Sequence, residues 1–377
     1  MLLPRNIKRM SQNGFTKIEL VFVLLCSLIL LGLFVPSCQR SYSPARRTQC
    51  ANNVRNLGLA NIQYEMRNGH FPPYLHSFGQ HDPAISRDPS IADLETPAHA
   101  KVGTWAVALL ADLDNQPVYE FWTIDEYALL TIDPENPTQV RYDAKKVPNM
   151  EIFQCSNDKF YDDEPFGKNS YVSNNGTFAA TFPANLGEVN SESSANGIFN
   201  FHGDDPDAID SDKRWPPTNA IGPKTSMNDI VDGKTHTALI SENVQAAAWF
   251  QVVRHPKTLT SSDVYQQINP RDVEAYHGFL WHYVADPRKP GIPGPSDEMR
   301  INGGDITDEK LTDAPNIQVR ARPSSVHAGG VNMAFADGGV RYISESIDYR
   351  VYQALMTPHD AKSDVPDPSF VLEDQDL

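Results

Sequence analysis

Residues 14–35 of the chain read GFTKIELVFVLLCSLILLGLFV, a short polar opening followed by a long apolar tract. No charged residue occurs between Leu20 and Val35. If Phe15 to Val35 form one helix, it is about 31 Å long at 1.5 Å per residue, which matches the hydrocarbon thickness of a bilayer. The tract therefore predicts a helix that crosses a membrane once.

Two other targeting segments fit part of this tract. A cleavable secretory signal has a short apolar region followed by small residues, and Pro36, Ser37 and Cys38 follow here. Val35 to Cys38 also looks like a weak lipobox, in which Cys38 would be acylated, although the proline fits that pattern poorly. Glu19 also argues against the lipobox, because a carboxylate costs about 3 kcal/mol near the bilayer centre and is not expected there without a purpose.

The stretch Gly14-Phe15-Thr16-Lys17-Ile18-Glu19-Leu20 resembles the signature of type IV prepilins and type II secretion pseudopilins. The resemblance implies that a prepilin peptidase cleaves after Gly14 and that the new N-terminus, Phe15, is methylated. It also implies a functional role for Glu19, the fifth residue of the processed chain. Lys17 stands where the family usually has an apolar residue.

The same resemblance supplies the orientation, which the flanking charges set only weakly. Prepilin-type precursors keep the basic leader, here residues 1–14, in the cytoplasm and place the remainder outside. We therefore expect a single-pass protein of the inner (cytoplasmic) membrane whose globular domain is extracytoplasmic. Its expected partners are the membrane, the prepilin peptidase, and like or unlike subunits that assemble through the N-terminal helix as homo- or hetero-oligomers.

The composition limits the classes of partner. The formal net charge is −16, and an acidic surface of this kind repels phosphate backbones, so we expect no nucleic acid partner. Apolar residues make up 40% of the chain, which is typical of a globular protein rather than a disordered one. The 22 glycines and 29 prolines predict many short strands joined by loops.

The four cysteines are Cys26, Cys38, Cys50 and Cys155, with no C-x-x-C pair and no histidine at metal-ligand spacing. A zinc site is therefore not expected. Cys26 lies inside the apolar tract and Cys38 at its edge, which leaves Cys50 and Cys155 for the folded extracytoplasmic part. We predict that these two form a disulfide; the alternative is two unpaired structural thiols.

A second helical pattern follows the apolar tract. Cys50, Val54, Leu57 and Tyr64 recur at the spacing of one helical face, and Asn68-Gly69 ends the pattern. We assign residues 1–14 to the leader, 15–67 to an N-terminal helix with its transmembrane span at 18–35, and 68–350 to a β-rich domain. Residues 351–377 form a C-terminal segment with an acidic tail, which we predict to be disordered from Asp364 onward.

Several blocks along nearly the whole chain resemble a planctomycete family of prepilin-like proteins whose large domain has no known function. The resemblance implies an α+β, pilin-like fold: a long helix packed on an antiparallel β-sheet with an enlarged, loop-rich head. Cys155-Ser156-Asn157-Asp158 departs from the family pattern by lacking a proline after the cysteine. The blocks are Cys50–Ala60 with Phe71–Pro73, Trp105 with Leu109-Leu110, Ile152–Ser156, Ser170-Tyr171 with Asn174–Gly176, Asp229–Thr235 through Glu242, and His327–Asn332 through Phe335–Gly338.

The C-terminal block contains an H-x9-D-G motif. The alternation of Val331, Met333 and Phe335 with small or polar residues predicts a strand, and Asp337-Gly338 predicts a two-residue turn into a return strand. We interpret the motif as structural, with His327 bonded to loop backbone. The alternative, a catalytic His–Asp dyad, has no accompanying nucleophile or metal triad, so no enzyme activity is expected. The motif residues are His327, Gly329, Gly330, Asn332, Asp337 and Gly338.

An acidic cluster contains Asp204, Asp205 and Asp207. Oxygen ligands of this kind could hold calcium, as a loop does in some pseudopilins, but the spacing is not that of an EF-hand. We interpret the cluster as a solvated acidic loop and expect no cofactor, with calcium as the alternative.

Two functions from different classes remain. The first is a non-catalytic pseudopilin-like subunit of a secretion or surface-fibre apparatus, which Glu19 favours. The second is a membrane-tethered protein that binds a solute or glycan, which the large head favours. Tryptophans could line a glycan groove, although scattered aromatic residues more often form core; they are Trp105, Trp122, Trp249 and Trp281.

Overall fold

The computed structural model describes the backbone of residues 14, 16–81, 99–158, 166–178, 193–202, 222–253, 268, 270–282, 296–307, 310–313 and 317–372, without the side chains of 31–44, 178 and 318. Several residues of the predicted sites lie outside this described part: residues 1–13 of the leader, Phe15, and the calcium candidates Asp204, Asp205 and Asp207. Two compact units divide the chain, Met1–Arg46 and Arg47–Leu377. The described residues form an α+β structure.

The first element is a long helix, α1, which runs from Lys17 to Asn68 over 52 residues. Thr16 and Glu19 form a capping box at its start: the Thr16 N–H donates to Glu19 Oε2 at 2.8 Å, and the Glu19 N–H donates to Thr16 Oγ1 at 3.3 Å. Gly69 ends the helix in the left-handed region, with φ +76°. Among the residues that the structure describes, no helix combines the length and apolar character needed to cross a bilayer.

The largest sheet has five strands, and every neighbouring pair in it is antiparallel except β5–β7, which is parallel. Its spatial order is β7-β5-β6-β8-β9. The strands are β5 (Tyr171–Phe178), β6 (Ala238–Glu242), β7 (Gly278–His282), β8 (Gly330–Phe335) and β9 (Val340–Ser344).

Two small antiparallel sheets, five short α-helices and three 3-10 turns complete the elements of the described residues. The sheets pair β1 (Leu75–His81) with β2 (His99–Thr104), and β3 (Leu130–Ile132) with β4 (Val140–Tyr142). The helices are α2 (Trp105–Ala108), α3 (Gln116–Thr123), α4 (Pro270–His277), α5 (Ile317–Arg320) and α6 (Tyr349–Met356).

Apolar clusters cover both faces of the large sheet. One contains Val54 and Leu57 of α1 together with Ala334 of β8, and the other contains alternate β8 residues with Tyr352 of α6. Strands β6 and β8 are therefore buried along their whole length. The four tryptophans named above are also fully buried, so they are core residues: Trp105, Trp122, Trp249 and Trp281.

The predicted hairpin is present as β8 and β9, but its turn differs from the prediction. The Phe335 N–H donates to the Gly339 carbonyl and the Gly338 N–H to the Phe335 carbonyl, which leaves a three-residue loop, 336–338. Gly338 has φ +81°, the left-handed residue that such loops place after a type I turn. The prediction of a two-residue turn was wrong. An Asp-Gly pair is compatible with a two-residue and with a three-residue hairpin loop, and the residues around Asp337-Gly338 do not favour one over the other.

The prediction of a disordered tail from Asp364 was wrong for residues 364–372. Asp364 exchanges two hydrogen bonds with the Asn196 side chain, at 2.8 and 2.9 Å. Val365 and Leu372 pack against the cluster that contains Tyr352. The prediction relied on the acidic composition of the segment and did not consider the packing of Val365 and Leu372. Residues 373–377 lie outside the described part.

Candidate functional site

Four polar or sulfur-containing side chains meet inside the Arg47–Leu377 unit, at one end of the large sheet. Cys50 comes from α1, Cys155 from the segment after a short 3-10 turn, Glu242 from the last position of β6, and His327 from the loop before β8. Their exposed fractions are 0%, 5%, 1% and 5%, so the site is closed to solvent.

Cys50 and Cys155, the two cysteines that the sequence places in the folded part, are joined by a disulfide. Their Cα atoms are 4.9 Å apart and 105 positions apart in sequence. Asn53, one turn further along α1, donates side-chain hydrogen bonds to the carbonyls of Glu151 and Gln154 at 3.0 and 2.9 Å. Covalent and polar contacts therefore fix α1 to the same segment.

Glu242 is a buried carboxylate held by the neighbouring strand. The Asn332 backbone N–H donates to Glu242 Oε2 at 2.8 Å, and the Asn332 side chain donates to Oε1 at 2.9 Å. Because a buried carboxylate is costly without such donors, Asn332 has a clear structural role. Burial, with the Glu242 charge as a second cause, raises the pKa of Tyr171 well above its usual range.

His327 contacts two of the other three side chains through one atom. Its Nε2 lies 3.3 Å from Glu242 Oε1 and 3.5 Å from Cys155 Sγ. Its backbone N–H donates to Ser325 Oγ at 2.9 Å, which fixes the loop. The prediction that the imidazole bonds to loop backbone was wrong, because the strand order brings a carboxylate and a sulfur beside it.

Asp337 is at the far end of β8 from His327, about 20 Å along the strand at roughly 3.3 Å per residue. It accepts hydrogen bonds from the Gly339 N–H at 2.8 Å and from Arg341 at 3.2 Å. Asp337 therefore shapes the turn, as expected, and the two ends of the H-x9-D-G motif do not form a dyad.

The two motif glycines serve the start of the hairpin. Gly329 has φ +88°, a conformation that favours glycine. At Gly330 a Cβ would lie 2.1 Å from the Ile343 carbonyl oxygen of the paired strand. A larger side chain would therefore strain the backbone at Gly329 and clash with the paired strand at Gly330.

Residues 43–350 match the family described as "Protein of unknown function (DUF1559)". The chain belongs to this DUF1559 family. No curated protein and no solved structure matches the chain. The DUF1559 match includes Cys50, Cys155, Glu242 and His327, and it begins after Gly14 and Glu19.

Sequence reasoning on this DUF1559 protein missed the site because its members are far apart in the chain. No ligand motif joins them, and Glu242 gave only one signal: a lone carboxylate that closes the apolar run Ala238–Ile240. In space, one ligand atom from each of the four residues lies within 4.8 Å of all the others. The set contains residue types that can bind zinc, although its two sulfurs are joined in a disulfide.

Proposed function

We propose that this protein is a prepilin-type, membrane-anchored structural subunit of a secretion or surface-fibre apparatus, without catalytic activity. The observation that carries the proposal is the difference in exposure between the two ends of α1. Apolar side chains near its start are exposed, among them Leu20 at 55% and Leu28 at 67%. Val54 and Leu57 near its other end are fully buried. In pilin-like assemblies, one helix both joins subunits and forms part of the head.

The attachment of α1 to the head suits a subunit under mechanical load. The Cys50–Cys155 disulfide is a covalent link, and Asn53 adds two hydrogen bonds to the same segment. Close packing adds to this, since a Cβ on Gly58 would lie only 2.8 Å from the Cβ of Ala334 in the sheet. A pull on the helix would therefore be transmitted to the sheet.

The absence of catalytic activity is proposed because the polar cluster is closed. Cys50, Cys155, Glu242 and His327 are each at most 5% exposed, so a substrate cannot reach them without local opening. Their contacts with one another account for their positions without a reaction.

Glu19 has two roles to distinguish. Its Oε2 accepts from the Thr16 N–H at 2.8 Å and from Thr16 Oγ1 at 3.0 Å, which caps its own helix. The prepilin resemblance assigns it a second role, in which it pairs with the Phe15 amine of a neighbouring subunit and sets axial register. That amine is a cation that cleavage itself produces.

The test compares Glu19→Ala with Thr16→Ala in cells, measuring processing by mass spectrometry of the N-terminal peptide and assembly in a sheared-fibre fraction. Wild type should begin at methylated Phe15 and enter the fibre fraction. Glu19→Ala should be cleaved and inserted but not incorporated, whereas Thr16→Ala, which loses hydroxyl capping but keeps the carboxylate, should still assemble.

Equal loss of fibre incorporation in both variants would show that Glu19 acts only by capping its own helix. Three results would overturn the structural-subunit proposal. The first is an intact leader, and the second is a lipid on Cys38. The third is a wild-type protein that is extracted by detergent as a monomer even from cells that contain its own secretion machinery. The last result would favour the tethered binding protein.

A further inference from the structure

The four residues around the disulfide have the residue types of a tetrahedral zinc site, with two sulfurs, an imidazole and a carboxylate. All four come from different parts of the chain and are buried. Thiolate and imidazole ligands together favour Zn²⁺ over Ca²⁺ or Mg²⁺, which prefer oxygen ligands.

The distances within the cluster agree with such a site. Zinc binds sulfur at about 2.3 Å, imidazole nitrogen at about 2.0–2.1 Å and carboxylate oxygen at about 2.0–2.2 Å. In a tetrahedron these lengths place sulfur about 3.5 Å from nitrogen and nitrogen about 3.4 Å from oxygen. The observed separations are 3.5 Å from Cys155 Sγ to His327 Nε2 and 3.3 Å from His327 Nε2 to Glu242 Oε1.

The two sulfurs are too close for zinc, because a disulfide holds its sulfurs about 2.05 Å apart. Two thiolates on one zinc ion would be about 3.8 Å apart. Reduction removes that bond, and rotation of the two cysteine side chains can supply the extra separation. His327 Nε2 and Glu242 Oε1 already have the separation that a shared zinc ion requires.

We propose that Cys50, Cys155, His327 and Glu242 bind one Zn²⁺ ion when the disulfide is reduced. Zinc and the disulfide are then alternative links between α1 and the head at the same position. In reducing surroundings the metal holds the joint, and in oxidising surroundings the disulfide does.

The chemistry balances with a dithiol as reductant. The dithiol gives two electrons and two protons to the Cys50–Cys155 bond and becomes a cyclic disulfide, leaving two cysteine thiols. Zn²⁺ displaces both thiol protons into solvent as two Zn–S bonds form. His327 binds through the lone pair of neutral Nε2, and Glu242 through Oε1.

Surrounding groups support the ligands. Asn332 donates to both Glu242 oxygens, which orients the carboxylate and offsets part of the negative charge of two thiolates and one carboxylate. Ser156 Oγ lies 3.9 Å from Cys50 Sγ, and Ser325 Oγ holds the His327 backbone at 2.9 Å. Such partners commonly change metal affinity by about 10- to 100-fold.

The test uses the full chain in detergent with Cys26→Ser and Cys38→Ser, so that only Cys50 and Cys155 remain as thiols. Oxidised and dithiol-reduced samples are titrated with Co²⁺ as a spectroscopic probe and then with Zn²⁺. The reduced protein should bind one Co²⁺ with a thiolate charge-transfer band, and Zn²⁺ should displace it. The oxidised protein should show no such band.

Ligand variants in the same background separate a built site from two metal-binding thiols. His327→Ala and Glu242→Gln should each weaken Zn²⁺ binding by more than about 100-fold, and Asn332→Ala by about 10- to 100-fold. His359→Ala, a half-buried histidine outside the cluster, is the matched control and should bind as the parent does. Circular dichroism of each oxidised variant checks that it is folded.

Thiol protection tests the site without a ligand variant. In the reduced parent, one equivalent of Zn²⁺ should slow alkylation of both Cys50 and Cys155 by at least tenfold. The proposal is overturned if no Co²⁺ band forms, if Zn²⁺ leaves alkylation unchanged, or if folded His327→Ala binds zinc as tightly as the parent.

Discussion

Glu242 and His327 form a buried contact, with Glu242 Oε1 3.3 Å from His327 Nε2 and both side chains 2% exposed. The contact lies beside the disulfide that joins α1 to the head, because Cys155 Sγ is 3.5 Å from the same imidazole nitrogen. A carboxylate and an imidazole in this position couple the end of β6 to the loop before β8. The energetic value of that coupling can be measured.

We expect His327→Ala and Glu242→Ala each to lower the free energy of unfolding by about 1–3 kcal/mol, because each removes one partner of a buried polar contact. The double variant should lose less than the sum of the two, with a coupling energy of about 0.5–3 kcal/mol. Urea unfolding of the four proteins measures this. Strict additivity would contradict a direct interaction.

Asp337→Ala provides the contrasting case for the H-x9-D-G motif. The Asp337 side chain bonds to Gly339 and to Arg341 of β9, and the length of β8 separates it from His327. Its loss should cost about 1 kcal/mol and add to His327→Ala within about 0.5 kcal/mol, as expected for distant sites. A larger coupling in the double variant would revive the dyad interpretation.

The Cys50–Cys155 disulfide should contribute up to about 4–5 kcal/mol, the value of the chain-entropy treatment for a loop of about a hundred residues. Cys50→Ser with Cys155→Ser should therefore unfold at a clearly lower denaturant concentration than wild type, when both are measured without reductant and metal. Cys26→Ser is the control, because Cys26 is free, and should leave the midpoint unchanged. Equal midpoints for all three proteins would argue against the bond.

Gly58 provides a test of how α1 packs on the sheet. Gly58→Ala places a Cβ 2.8 Å from that of Ala334 and should cost about 1–3 kcal/mol through overpacking. Adding Ala334→Gly removes the clashing methyl group and should restore part of the loss, reduced by the flexibility of glycine in a strand. Thermal unfolding of the single and double variants measures these effects. If Ala334→Gly only adds its own loss of stability to that of Gly58→Ala, the two residues are not in close contact.

Asp360 should give stability an unusual pH dependence. The pKa of Asp360 is raised to about 7, chiefly by burial, against a hydrogen bond from Thr357 that lowers it and with a smaller upward contribution from the Asp232 carboxylate. The folded protein thus holds a proton that the unfolded chain releases near pH 4, so this contribution to stability is present at low pH and is lost as the pH rises to about 7. The stability difference between wild type and Asp360→Asn should fall over that range.

Asp360→Asn is the suitable variant because the amide keeps a similar shape and does not titrate. Taking the difference between the two proteins cancels other titrating groups, including the buried His277, whose pKa burial lowers to about 4. A flat difference would show that the pKa of Asp360 is the same in the folded and unfolded protein, and a difference that rises with pH would show that folding lowers it; either result contradicts the prediction.

The sequence by itself determined the features that depend on neighbouring residues. The helical spacing from Cys50 to Tyr64 and the Asn68-Gly69 stop predict that the helix ends at residue 67, one residue before its observed end at Asn68, because side-chain period and glycine conformations act locally. The alternation after Gly330 gives β8 and β9 for the same reason. Counting cysteines in the folded part left one pair, Cys50 and Cys155. Membrane anchoring and cleavage after Gly14 remain predictions.

Only the tertiary structure decided which distant residues meet. The order β7-β5-β6-β8-β9 places the end of β6 beside the start of β8, and this alone brings Glu242 to His327 and both to the disulfide. It also separates His327 from Asp337, although they share one short motif. A local pattern reports which face a side chain occupies, whereas the contacts across that face depend on strand order and on the burial gained by the whole fold.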